Sequence, residues 1–236
     1  MPAAGMGERL GAEGPKALVT VAGRPMLEWS LRAFAAAAEV GTAVIAAMPG
    51  DERRFEELTA GIESLETEVV TGGASRSESV AAAARQIDTD LVAIHDAARP
   101  LVTPELIDEL VTKLVRRPDA AAVIAAAPLT DTVKRAREPR PAKGEIARGG
   151  PTVAKTESRD HLWAAQTPQV FRAGALRDAL AADPQRLAAA TDDAWLVEKA
   201  GGKVLINPSP PENLKVTTAF DLRVAELLLE EGESGG

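Results

Sequence analysis

The chain has 236 residues, 45% hydrophobic and 26% charged, enough for one large α/β domain with an ordinary globular core. Its 35 acidic residues outnumber 27 basic ones, for a formal charge of −8, which argues against nucleic acid or an anionic membrane as the main partner. With no cysteine and only two histidines, disulfides, a thiolate nucleophile and a Cys-ligated metal are excluded and a His-built metal site is disfavoured, leaving an oxygen-ligated ion such as Mg²⁺.

No apolar run reaches transmembrane length and no basic-then-apolar leader opens the chain, so the expectation is a cytoplasmic protein. Any anionic substrate must then meet locally clustered cations. The first such cluster follows Pro2: Ala3, Ala4, Gly5, Met6, Gly7, Glu8 and Arg9, with Pro15-Lys16 after a short gap. Glycines let backbone N–H groups approach a phosphate, and Arg9 and Lys16 would clamp a triphosphate. The plainer reading is a flexible loop, and the Walker pattern is absent because no Gly-Lys-Ser/Thr follows.

Helical spacing predicts a helix over Met26–Ala38, with Leu27, Leu31 and Phe34 on one apolar face, and strands over Thr42–Met48 and Thr67–Thr71 flank a helix over Asp51–Leu58. Gly72-Gly73-Ala74-Ser75-Arg76-Ser77-Glu78-Ser79-Val80 then follows a strand and opens a helix over Ser77–Gln86. Free amides there favour an anion or a polar base edge, whereas the structural alternative is capping by Ser75 or Ser77 alone.

The apolar strand Leu91–Ile94 ends in His95-Asp96-Ala97-Ala98-Arg99-Pro100. In open α/β sheets ligands bind outside the carboxyl ends of strands; there Asp96 suits a divalent cation and Arg99 a phosphate. The alternative is a capped turn with a surface ion pair. His95 reads as a hydrogen-bonded core or turn residue rather than a base.

A helix over Thr103–Val115 and a strand over Ala120–Ala126 come next. Strand-like Asp131–Ala136 and Thr152–Thr156 then flank a Pro-, Gly- and charge-rich stretch, Arg137–Pro151, as an extended hairpin or arm. Unable to bury much apolar surface alone, such an arm is either a mobile excursion or a surface that packs on a second subunit. Trp163 is predicted on a helix and, with Trp29 and Trp195, in the core; Ala165-Gln166-Thr167-Pro168-Gln169 reads as a buried-looking turn after it.

Further helices are predicted over Arg172–Ala182, Thr191–Ala200 with Thr191 as N-cap, and Ala219–Leu229. A strand over Lys203–Asn207 precedes Glu212–Thr217, where Lys215 lies in a β-like run. Residues 230–236 are expected to be disordered. The alternation of strands and helices predicts a doubly wound α/β domain spanning 1–236, with a largely parallel sheet.

Together, residues 2–16, 72–80, 95–100, Asp131-Thr132, 165–169, 191–194 and 213–217 resemble the 2-C-methyl-D-erythritol 4-phosphate cytidylyltransferases over nearly the whole chain. His-Asp-Ala-Ala-Arg-Pro followed by Thr-Pro-Gln and Thr-Asp-Asp is the narrow part of the match, shared with the similar ribitol-5-phosphate cytidylyltransferases. The resemblance implies a three-layer α/β/α Rossmann-like nucleotidyltransferase fold with a mostly parallel sheet and a projecting β-arm at about 128–161 that forms a homodimer. It implies cytidylyl transfer from CTP to a polyol phosphate, methylerythritol 4-phosphate, with Mg²⁺ near Asp96.

By the same resemblance Arg9, Lys16 and Lys215 would neutralise charge on the reacting phosphates, and Ala3, Ala4, Gly5, Gly7, Gly73, Ala74, Ser79 and Asp96 would hold CTP. Asp96, Arg99, Thr167, Thr191 and Lys215 would meet the polyol phosphate, with Thr132 and Arg159 reaching across from the partner's arm. Ribitol-5-phosphate cytidylyl transfer is the nearest alternative, and a nucleotide-binding protein without turnover is an alternative of another class. Two departures stand out: the family pattern carries a short apolar central strand before Pro2 that is not seen here, and the stretch 135–151 is longer and richer in Pro.

Overall fold

A computed structural model describes residues 1–7, 10–11, 14–137 and 150–234. Short strands β1 (Thr20–Val21) and β2 (Arg24–Pro25) precede α1 (Met26–Ala36), β3 (Thr42–Ala47), α2 (Glu52–Thr59), β4 (Glu66–Thr71), α3 (Arg76–Ala84), β5 (Leu91–Ile94) and α4 (Pro104–Val115). The second half contains β6 (Ala122–Pro128), β7 (Lys134–Arg137), β8 (Thr152–Thr156), β9 (Trp163–Arg172), α5 (Ala173–Leu180), α6 (Pro184–Ala189), α7 (Asp193–Lys199), β10 (Val204–Pro208) and α8 (Ala219–Ser234).

The fold is α/β, but its sheets are mixed rather than mostly parallel. β3 pairs parallel with β4, whereas the four-stranded sheet runs β10-β6-β9-β5, with β10 and β6 parallel and β9 antiparallel to both neighbours. Strand β9 is the largest departure from the predicted elements, since its start at Trp163 is where a helix is predicted. The Gln-Thr-Pro-Gln stretch interrupts apolar patterning, and a proline within a run argues against a central strand unless a bulge accommodates it. Such a bulge is present: Gln169 pairs with Ile124 and Ala165 with Ala126, so three residues of β9 lie opposite Ala125. Trp163 consequently emerges on an exposed strand end, 37% accessible, and is not core.

Met1–Ala3 take up a fragment of the position expected for a central strand. Pro2 bridges Ala46 in parallel, the Ala3 amide donates to Ala46 O at 2.9 Å, and the Met1 amino group donates to Val44 O at 2.6 Å. The strand β3 is nearly continuous in burial, as a strand covered on both faces should be. Leu27, Leu31 and Phe34 of α1 are buried with Ile45 and Phe55 in one core cluster, which bears out the apolar face of the first helix. A second cluster joins Ile94 and Phe171 to Leu176, Leu196 and Val197 of α5 and α7.

β7 and β8 pair with each other as a separate two-stranded antiparallel sheet, and every residue of the two strands is exposed. At the other end α8 continues through Ser234, so residues 230–234 are helical where disorder is predicted. No helix among the described residues is long and apolar enough to cross a membrane.

Candidate active site

Asp96 follows the last residue of β5 by two positions, and the chain's hydrogen bonds leave its carboxylate little freedom. Its backbone N–H donates to Thr167 Oγ at 3.0 Å, Thr167 Oγ lies 3.2 Å from His95 Nδ1, and His95 Nε2 lies 3.1 Å from Arg99 O. The carbonyl can only accept, so Nε2 carries the proton; burial keeps the ring neutral, so Thr167 O–H donates to Nδ1 and His95 is the Nε2–H tautomer. The β9 bulge is what turns Thr167 towards Asp96. Asn213 ties the same segment to the 209–216 turn, donating to Gln166 Oε1 at 3.1 Å and Thr167 O at 2.9 Å, while its backbone carbonyl accepts from Arg99 Nη1 at 2.7 Å.

Three cations surround the Asp96 carboxylate. Arg76 donates to Oδ1 through Nε and Nη2 at 3.2 and 3.1 Å, Lys215 Nζ lies 2.8 Å from Oδ2, and Arg99 Nε is 3.9 Å from Oδ2. Burial penalises the Asp96 charge, but Arg76, Lys215 and Arg99 outweigh that penalty and hold its carboxyl well below the usual range. Asp96 is therefore an anion throughout the physiological range and no candidate for a general acid or base.

The loop that brings Arg76 here is held by its own polar groups. Ser75 Oγ accepts from the Glu78 amide, Glu78 Oε2 accepts from the Ala74 amide, and Ser79 Oγ accepts from the Gly73 amide. Ser75 is thus the cap of α3, and these amides, predicted to be free for an anion, are occupied within the loop. Gly72 fits only without a side chain, because an added Cβ would lie 2.8 Å from Ala47 O and 3.2 Å from Ala4 Cβ. That close approach brings the 72–75 turn against residues 3–5.

Between them opens a cleft of about 330 Å³. Of the residues singled out in the sequence, Ala3, Ala4, Gly5, Lys16, Gly73, Ala74, Ser79, Asp96 and Lys215 all line it. Gly7 is buried beside it, its amide donating to Gly14 O at 3.0 Å, and Arg9 lies outside the described residues. Thr167 and Arg99 stand behind Asp96, both buried.

The remaining expected substrate contacts are not brought to the cleft within one chain. Thr191 is exposed, and Asp192, not Thr191, caps α7 by accepting from the Trp195 amide at 2.8 Å. Thr132 and Arg159 sit exposed at the base of the hairpin, where Arg159 donates to Thr130 O. Lys215 lies in an irregular segment rather than a strand, because residues 213–217 bond to the Ala98–Arg99 turn and to β9 instead of a sheet edge.

Sequence reasoning misses Arg76 and Asp193. Arg76 Nη1 donates to Asp193 Oδ2 at 2.7 Å across 117 residues of sequence, and Asp193 is fully buried. Both sit in motifs already noted, yet no local spacing signals their pairing. Among the described residues, no group of three or more His, Cys, Asp or Glu side chains could hold a metal, so Asp96 is a lone carboxylate in the cleft.

The chain is similar to known proteins over nearly its whole length. The model of the 2-C-methyl-D-erythritol 4-phosphate cytidylyltransferase family matches residues 1–231. The protein of that name from Bordetella petrii is 40% identical over 96% of this chain and 95% of its own length, and the one from Paraburkholderia phymatum is 39% identical over 100% and 97%. Among solved structures, the Thermus thermophilus enzyme of the same name superposes with a TM-score of 0.71 at 32% identity, covering 93% of this chain and 95% of that one. A 4-diphosphocytidyl-2C-methyl-D-erythritol synthase from Anaerococcus prevotii reaches 0.78 at 26% identity, covering 97% and 95%. The chain belongs to the 2-C-methyl-D-erythritol 4-phosphate cytidylyltransferase family.

Proposed function

We propose that this protein transfers the cytidylyl group of CTP to the phosphate of 2-C-methyl-D-erythritol 4-phosphate, giving 4-diphosphocytidyl-2-C-methyl-D-erythritol and pyrophosphate in non-mevalonate isoprenoid biosynthesis. Family membership supports the reaction. The observation that carries it is the single cleft in which residues 3–5 and the 73–74 turn face Lys16 and Lys215 beside Asp96.

A phosphate oxygen of the acceptor attacks the α-phosphorus of CTP; the new P–O bond forms as the α–β bridging P–O bond breaks and pyrophosphate leaves. The attacking oxygen is already ionised at neutral pH, so no strong base is needed, in keeping with a site that offers a permanently charged Asp96 and a neutral, buried His95. Catalysis is then positioning and charge neutralisation. Lys16, Lys215 and Arg9 neutralise the triphosphate and the transition state, while Ala3, Ala4, Gly5, Gly73, Ala74 and Ser79 seat cytosine and ribose.

Arg99 supports the acceptor side, with Thr167 fixing Asp96 behind it. The implied Mg²⁺ finds one carboxylate among the described residues of the cleft, Asp96, whose oxygens are already bonded to Arg76 and Lys215, so a cation there would be held chiefly by phosphate oxygens. When bound it supplies charge neutralisation at the phosphates.

The active form is a homodimer through the β7–β8 hairpin, which brings Thr132 and Arg159 to the partner's acceptor site, within a three-layer Rossmann-like domain. Its location is cytoplasmic, where the nucleoside triphosphate is available. The test is pyrophosphate release with CTP, Mg²⁺ and either methylerythritol 4-phosphate or ribitol 5-phosphate. Release with the first acceptor and at least tenfold less with the second is expected; folded protein that releases none with methylerythritol phosphate sinks the assignment.

A further inference from the structure

Asp193 is the first residue of α7, and its side chain is wholly buried. A carboxylate at a helix N-terminus has an ordinary structural explanation, since it meets the positive end of the helix dipole. Two observations go beyond that. Its Oδ1 is buried with no hydrogen-bond partner, and Oδ2 is committed to Arg76 Nη1 at 2.7 Å. An unpartnered buried carboxylate oxygen is costly, and a structural cap could be supplied by a neutral or exposed group, as Asp192 already does for the same helix.

Arg76 faces two ways. One edge of its guanidinium, Nε and Nη2, grips Asp96 Oδ1, and the remaining nitrogen reaches Asp193. With only the Asp96 contact the guanidinium could swing into the cleft, because its side chain is 31% accessible and Ser75, Ala74 and Asp96 line the same space. Held at both edges, the planar fork has a single orientation, and so has Asp96, whose Oδ2 is left facing Lys215.

We propose that Asp193 is a positioning residue of the transfer reaction: acting through Arg76, it fixes the orientation of the Asp96 carboxylate and thereby the ammonium of Lys215. It does not touch substrate. The inference rests on the proposed cytidylyl transfer, and its physical content is geometric. A released Arg76 remains a cation in the cleft, so nucleotide binding survives, whereas the alignment of Lys215 with the reacting phosphates is lost.

The test is a double-mutant cycle on Asp193→Asn and Arg76→Met, read by steady-state kinetics with CTP and methylerythritol 4-phosphate and by thermal unfolding of each protein. Asp193→Asn is nearly isosteric but removes the charge, so the strong charge-assisted tie to Arg76 is replaced by at most a weak neutral one. It is expected to lower kcat at least tenfold while KM for CTP changes less than threefold. In the Arg76→Met background the same substitution is expected to lower kcat less than twofold further, because the group through which it acts is gone.

Should Asp193→Asn not fold, Arg76→Lys, which keeps the charge but loses the fork, is expected to reproduce the kcat loss in folded protein. A kcat within twofold of the parent for Asp193→Asn, effects that multiply independently in the cycle, or full activity of Arg76→Lys each overturn the proposal. An unsubstituted protein with no transfer activity instead overturns the reaction assigned to the site, so the two failures are distinguishable.

Discussion

The side chain that decides the order of the site is His95, a residue that does not line the cleft. Burial pushes its pKa down from 6.5 to about 3, against the opposing pull of Asp96 and the Arg99 carbonyl. The unfolded chain therefore binds a proton before the folded chain does, and stability contributed by neutral His95 is complete above about pH 6.5 and lost as pH falls towards 3. Asp193 acts in the opposite sense, because burial raises its carboxyl. The buried Met1 amine, lowered to about 5, acts in the same sense as His95.

A variant comparison isolates the histidine from both. His95→Gln keeps a donor for Arg99 O and removes the titration, so its Tm at pH 7 is expected to lie below the parent's by a few degrees, the loss of about one hydrogen bond and its packing against Phe34. Between pH 7 and pH 4.5 the parent's Tm is expected to fall more steeply than the variant's. Thermal unfolding of both proteins across that range checks it, and parallel pH profiles would show that His95 does not set the slope.

At the scale of elements, the αβ alternation of the first half is legible from the apolar runs of β3 and β5, the apolar stripe of α1 and the capping serine and threonine that open α3 and α4, while the two-residue strands β1 and β2 carry no such signal. Thr103, the first residue of the helix predicted over Thr103–Val115, is the N-cap of α4, and β5 spans the predicted Leu91–Ile94. Strand β9 was not legible, since its middle is polar and contains Pro168; the bulge that makes it tolerable depends on β6, some 40 residues away. The cleft's small residues were legible as a glycine-rich pair of loops, but Arg76 and Asp193 were hidden because an ion pair across 117 residues leaves no local pattern.

The α3 loop carries a prediction at this scale. A Cβ on Gly73 would lie 2.3 Å from Glu78 Cβ and 2.8 Å from its Oε2, so Gly73→Ala forces the first turn of α3 away from the loop it caps. Since the Gly73 and Ala74 amides are bonded to Ser79 and Glu78, the shift also disturbs the cleft wall. Binding of CTP, measured by calorimetry, is expected to weaken at least fivefold, with Tm lowered by a few degrees. Unchanged CTP affinity in the variant would show that the wall has room to give.

For the whole molecule, the β7–β8 hairpin is the part that a single chain does not explain. All residues of its two strands are exposed, Val153 by 65%, and a two-stranded ribbon is marginal by itself. Its ion pairs, Arg135 with Glu157 at 2.6 Å and Lys155 with Glu157 at 2.7 Å, are solvated on the lysine and arginine side, so they add little stability. Beneath it the chain closes on itself, because the Glu157 amide donates to Val133 O at 3.0 Å.

Replacing residues 134–156 with a short Gly-Ser linker should therefore leave the folded domain intact, with Tm within a few degrees of the parent and CTP still bound. The proposed dimer makes the opposite demand on assembly and turnover. Light scattering is expected to give the mass of a dimer for the parent and of a monomer for the shortened protein. Transfer activity should fall at least tenfold through KM for the polyol phosphate, because the partner's Thr132 and Arg159 no longer reach the site. A shortened protein that stays dimeric, or keeps its acceptor KM as a monomer, would place the interface and the acceptor contacts elsewhere in the fold.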